Sequence, residues 1–145
     1  METMTYMKVY RLENKDGIGV YQAANYNEQL LVNLRSTFSA LSNRHPYPND
    51  DSLLRETCPG MRWMECFFGF DSLKQLRNWF YTNKILKVFS ESGITINVYE
   101  IPAHAVYMGN TQCCFEKEYR DNRHIVETIN PLSLMDLPLD NNLPV

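Results

Sequence analysis

Between Trp63 and Val98 the apolar spacing changes period twice, and that change restricts the fold class before anything else in the chain is considered. Trp63 to Phe70 holds Cys66, Phe67 and Phe68 in succession, the run expected of a buried central strand, and ends at Gly69-Phe70-Asp71. From Ser72 the spacing turns helical: Leu73, Leu76, Trp79 and Phe80 share one face, and Ser72 with Gln75 fits the capping-box pattern that satisfies the first free N–H groups. A second helical segment carries Ile85, Leu86, Val88 and Phe89 and stops at Gly93, the residue type a left-handed C′ position favours. Ile94, Ile96 and Val98 then alternate with Thr95, Asn97 and Tyr99, the two-residue period of a half-buried strand running to Pro102.

The flanking segments extend this pattern. Met7 to Glu13 reads as a first strand closed by the turn cluster Asn14 to Gly17. Asn27 to Leu41 spaces Leu30, Leu31, Leu34, Phe38 and Leu41 as an amphipathic helix with Asn27 as N-cap. Ser42 to Gly60 is a long connection with one helical turn at Ser52 to Arg55, and long connections in small domains are often functional. Ala105 to Met108 is a short strand that turns at Gly109-Asn110 into Thr111 to Glu118. The sum is an α+β fold, a single domain over residues 1–128 with a mixed or antiparallel sheet and two or three helices. Residues 129–145 form a Pro-rich tail, expected to be poorly ordered or wrapped on the surface. The predicted core is Leu34, Phe38, Phe68, Leu76, Trp79, Phe89, Ile96 and Val98.

Charge and composition narrow the function classes. At 145 residues the chain has the size of one domain. A net charge of −3 lacks the clustered Lys and Arg that counterion release from a phosphate backbone requires, so no nucleic acid partner is expected. No apolar run approaches the roughly 20 residues of a membrane helix, and no signal peptide opens the chain, so a cytoplasmic setting with reduced thiols is expected. Cys58, Cys66, Cys113 and Cys114 lack the paired spacing of structural zinc; Cys113 and Cys114 are adjacent and on a strand point to opposite faces, so no metal is expected. No glycine-rich phosphate loop, nucleophile elbow or helical His pair is present, and His45, His104 and His124 read as exposed loop residues.

Three features rise above this background. Arg11 sits among apolar neighbours in the first strand, where a buried guanidinium must find an anion or a carboxylate. FFGFDS, residues 67–72, leaves a strand for a helix with a hydroxyl, Ser72, at the junction. QCCFEKE, residues 112–118, places Glu116 and Glu118 two apart, on one side if the strand continues. This order, with the closing segment INVYEIPAHAVYMGNTQCCFEKE, resembles mono-ADP-ribosyltransferases of the bacterial-toxin type. The resemblance implies an ADP-ribosyltransferase-like fold with NAD as substrate. It assigns Arg11 to NAD contact, Ser72 to the pocket wall, Glu118 to stabilising the ribosyl cation and Glu116 to the partner carboxylate. A carboxylate beneath the oxocarbenium-like centre supplies the electrostatic stabilisation that loss of nicotinamide requires.

A second resemblance runs through VYRLENKDGIGVY, HPYPNDD, CFFGFDSLKQLRNWF and NVYEI, which look like small proteins encoded by bacteriophages and prophages. It implies a phage effector in the cytoplasm of a bacterial host, including a non-enzymatic inhibitor of host defence that binds a host protein or a nucleotide. The candidate surface for such a partner is Arg44, His45, Tyr47, Asp50 and Asp51. Convergence of Arg11 and Glu118 on one cleft separates the two readings.

Overall fold

The computed structural model describes residues 4–17, 51–58 and 65–139. The predicted helix from Asn27 to Leu41, with Leu34 and Phe38, lies outside them, as do Trp63 and Arg44 to Asp50. The described elements run β1 (Tyr6–Glu13), α1 (Ser52–Thr57), β2 (Cys66–Gly69), α2 (Leu73–Trp79), α3 (Asn83–Glu91), β3 (Thr95–Pro102), β4 (Val106–Met108), β5 (Cys113–Glu116) and β6 (Ile125–Ile129), with 3-10 turns between and after the later strands. The fold is α+β, and among the described residues the pairing is antiparallel, in two 3-stranded sheets ordered β1-β3-β6 and β2-β5-β4.

The two sheets meet at one antiparallel bridge, Tyr10 to Phe70, in which each N–H donates to the other residue's carbonyl, at 2.8 and 2.9 Å. Gly69 makes this approach possible. A Cβ there would stand 2.6 Å from Val9 Cγ1 and 2.9 Å from the Tyr10 carbonyl oxygen, so no side chain fits the crossing.

Alternation along β1 serves two cores. Tyr10 and Leu12 face a helical layer, packing with Leu76, Trp79 and Phe80 of the α2 segment and Ile85, Leu86 and Phe89 of α3. Phe70 anchors that layer through edge contacts to Trp79 and Phe80 at 5.5 and 6.0 Å. Val9 faces the other way and joins Tyr99, Ile101, Val106, Cys113 and Phe115 between the two sheets. The outer face of β2-β5-β4 is covered by α1, whose Leu54 and Cys58 pack on Cys114. Cys113 and Cys114 thus enter different cores, as strand alternation requires. Among the described residues, no helix is long and apolar enough to cross a membrane.

Local signals behave as their chemistry dictates. Ser72 Oγ accepts from the Gln75 N–H at 3.1 Å, while Gln75 Oε1 reaches back to the Asp71 N–H at 2.8 Å, one residue beyond the usual box partner. Gly93 has φ +77° and closes α3 in a Schellman arrangement, with the Ile94 N–H bonded to the Phe89 carbonyl at 2.9 Å. The predicted helical turn at Ser52 continues to Thr57.

Three expectations shift. β2 is the end strand of its sheet and Cys66, Phe67 and Phe68 are half-buried, because β5 flanks it on one side and its backbone pairing toward β1 is limited to the Tyr10–Phe70 bridge. β3 is covered on both faces, so Tyr99, expected on an outer face, is buried. In the tail, residues 131–136 form a 3-10 helix that seats Leu134, with no exposed surface, in the helical core.

Candidate functional site

Arg11 and Glu13 lie two apart on β1 and therefore share the face that looks toward the second sheet. Both are buried, and Arg11 Nε donates to Glu13 Oε2 at 2.9 Å. The second carboxylate oxygen accepts from Tyr99 Oη at 2.6 Å and from Asn97 Nδ2 at 2.8 Å. These donors come from β3, where the register puts Thr95, Asn97 and Tyr99 on the same face as Glu13, Arg11 and Val9; Asn97 Oδ1 in turn accepts from Thr128 Oγ1 of β6 at 3.1 Å. Burial, then the hydrogen bond and charge of Glu13, push the Tyr99 hydroxyl well above its ordinary range, which keeps it an O–H donor.

The guanidinium of Arg11 also donates to the Phe68 carbonyl and lies 5.1 Å from the centre of the Phe67 ring. A second guanidinium shares that ring: Arg120, just beyond the 3-10 turn after β5, stands 4.7 Å from it. Phe67 leans on Phe115 at 6.4 Å and Phe115 on Tyr99 at 5.7 Å, so an aromatic row backs both arginines. Arg120 Nη1 donates to the Gly17 carbonyl at 3.0 Å, while its Nε is buried with no hydrogen-bond partner among the described residues. Two guanidiniums thus share one ring, and the carboxylate that holds Arg11 already accepts three hydrogen bonds.

Of the residues singled out in sequence, Arg11 alone is seen bonded within this cluster. Arg11 is there, and the carboxylate it finds is Glu13. Ser72 caps α2. The expectation that Glu116 and Glu118 share one side of a strand is corrected, because β5 ends at Glu116 and residues 117–119 form a 3-10 turn that leaves Glu118 exposed. Glu116 pairs across from Cys66 and accepts from Tyr107 Oη at 2.7 Å, on the face of the β2–β5 ladder opposite Phe67 and Arg11. Asp51, expected at an exposed partner surface, is buried and structural. It accepts from the Leu54 N–H at 3.1 Å as the N-cap of α1, and from the N–H groups of Asn110 and Thr111 at 2.9 and 3.2 Å, tying the β4–β5 turn to the helix. Burial alone would raise its pKa, but the bonds from Asn110, Leu54 and Thr111 outweigh it and hold the carboxyl below the usual aspartate range.

Glu13, Asn97, Tyr99, Phe67 and Arg120 escape a linear reading. The available signal was Arg11-x-Glu13, opposite charges on one face of an apolar strand. No curated protein and no solved structure matches the chain. The model of the Bacteriophage T4 Y00F protein family matches residues 7–129, a span that includes every residue of the arginine cluster.

Proposed function

The chain belongs to the Bacteriophage T4 Y00F protein family, and we propose that it is a non-catalytic phage effector that captures an anionic, nucleotide-type ligand in the cytoplasm of a bacterial host. The observation that carries this reading is the pair of guanidiniums on Phe67, of which Arg11 is held by the fully engaged Glu13 carboxylate. Among the described residues Arg120 is in no ion pair, so its charge is left for a phosphate to meet. An arginine–phosphate contact is bidentate and planar, and the neighbouring aromatic row suits a ligand with a flat ring. Capture of a nucleotide removes it from the host enzymes or defence systems that depend on it. NAD is the first ligand to test, since it carries both the diphosphate and the ring. Transfer of ADP-ribose from it is the competing reading, and that chemistry requires a carboxylate at the sugar, the role assigned to Glu118.

Calorimetric titration of the whole chain with NAD, ADP and inorganic phosphate, followed by a labelled-NAD transfer assay on bacterial lysate, separates the readings. Binding without transfer is expected, and Arg120→Ala should weaken it by roughly 10–100-fold, the loss of one charge-assisted contact. Transfer that disappears in Glu118→Gln establishes the transferase instead. Absence of binding by all three ligands removes the capture reading.

A further inference from the structure

On the face of β2-β5-β4 away from the arginines, three thiols from three elements gather. Cys58 caps the C-terminus of α1, Cys66 opens β2 and Cys114 lies in β5, all packed around Leu54. The register sets Phe68 opposite Cys114 and Cys66 opposite Glu116, so Cys66 and Cys114 are diagonal neighbours on one face. Their thiols are joined by a hydrogen bond. The four cysteines are in no disulfide, and among the described residues no group of His, Cys, Asp or Glu is placed to hold a metal ion. Thiol chemistry is therefore what this cluster offers.

The geometry points to Cys66 and Cys114 as a reversible disulfide pair, with Cys66 the thiol that a hydroperoxide reaches first. Cys66 is half-buried whereas Cys58 and Cys114 have no exposed surface, so access selects it. Its thiolate attacks the peroxide oxygen; the S–O bond forms as the O–O bond breaks, leaving Cys66 a sulfenic acid and releasing water or alcohol. The Cys114 sulfur then attacks the Cys66 sulfur, the S–O bond breaks, and water leaves with the Cys114 proton. Two thiols have lost two electrons and two protons to one hydroperoxide. Burial, with the nearby thiols of Cys66 and Cys58, pushes the Cys114 thiol up, which keeps it protonated and unreactive toward solutes until a sulfenic neighbour forms. A diagonal pair stands about 7–8 Å apart, beyond the reach of an unstrained bridge, so the backbone must close for the bond to form. The position of Cys66 at the first residue of β2 allows the small closing shift, and the bond formed is easily reduced.

The test is treatment of the folded protein with hydrogen peroxide, thiol titration with and without denaturant, and peptide mapping without reductant. Loss of two of the four thiols, a Cys66–Cys114 linked peptide and full recovery with dithiothreitol are expected. Cys66→Ser should abolish the loss with its melting temperature nearly unchanged, and Cys113→Ala, whose thiol faces the other core, should leave the linkage intact. Oxidation of Cys66 onward to sulfinic acid, a link through Cys58, or retention of all four thiols in the folded protein overturns the pairing.

Discussion

Glu13→Gln tests the centre of the arginine cluster. The substitution keeps the shape and leaves an amide oxygen to accept from Tyr99 Oη and Asn97 Nδ2, but it removes the charge that faces Arg11 Nε at 2.9 Å. The side chains of the pair are 9% and 0% exposed, so water cannot replace the lost carboxylate. Removing one partner of such a pair costs about 3–5 kcal/mol, and because two of the three donors keep an acceptor the lower end applies, about 3 kcal/mol. For a domain of this length that lowers the melting temperature by roughly 6–12 °C. Urea denaturation near neutral pH reads it as a fall in midpoint at constant slope. Arg11→Met alone leaves the carboxylate buried without its cation and takes a donor from the Phe68 carbonyl, so it too destabilises. In the double variant neither charge of the pair remains. It should be more stable than the sum of the single losses by about 2 kcal/mol, and additivity within about 0.5 kcal/mol would refute the account, because contacting residues in one network must couple.

Trp79→Ala removes a buried ring from the helical core and should cost about 3–5 kcal/mol in thermal melts; an unchanged melting temperature contradicts its place against Phe70. Gly69→Ala puts a methyl into the Val9 and Tyr10 backbone crossing and should cost about 1–3 kcal/mol, whereas a neutral effect means the sheets do not approach there. Asp51→Asn should lose about 1–3 kcal/mol at neutral pH through weakened bonds to the cap and the turn. The native carboxyl is held below its ordinary range, so its contribution is present above that range and fades as pH falls through the folded value. Melts in acid should accordingly bring wild type and variant together, and a gap that persists there contradicts the argument.

The local elements were legible because their signals are short-range. A hydroxyl before an apolar helical face, a glycine after one, and an alternating run each depend on a few neighbouring residues, and Ser72, Gly93 and Ile96 to Val98 all do what those rules require. The arginine cluster was legible in one respect. An arginine in an apolar strand needs a counter-charge, and it has one. The resemblance points to Glu118 for the carboxylate, whereas the counter-charge is Glu13, two residues away. Arg120 and Phe67 had no sequence signal: they meet because the Tyr10–Phe70 bridge brings β2 beside β1, and β5 then delivers the turn that carries Arg120. Tyr99 was read as outward-facing because a half-buried strand and a strand covered on both faces differ in their partners rather than in their own alternation.

The β2–β5 ladder is where these observations combine. Successive residues of a strand point to opposite faces, so Cys66 and Phe67, adjacent in sequence, serve different chemistry. Phe67 and Phe115 back the two guanidiniums, while Cys66 and Cys114 lie beneath α1. The ladder has four residue pairs and sits between the Gly69 crossing on one side and β4 on the other. A closing shift of Cys66 on the thiol face therefore moves the backbone that also carries Phe67. Because Arg11 donates to the Phe68 carbonyl one residue further on, the same backbone fixes the guanidinium. Covalent change on one face and charge placement on the other are thus joined by a few peptide units.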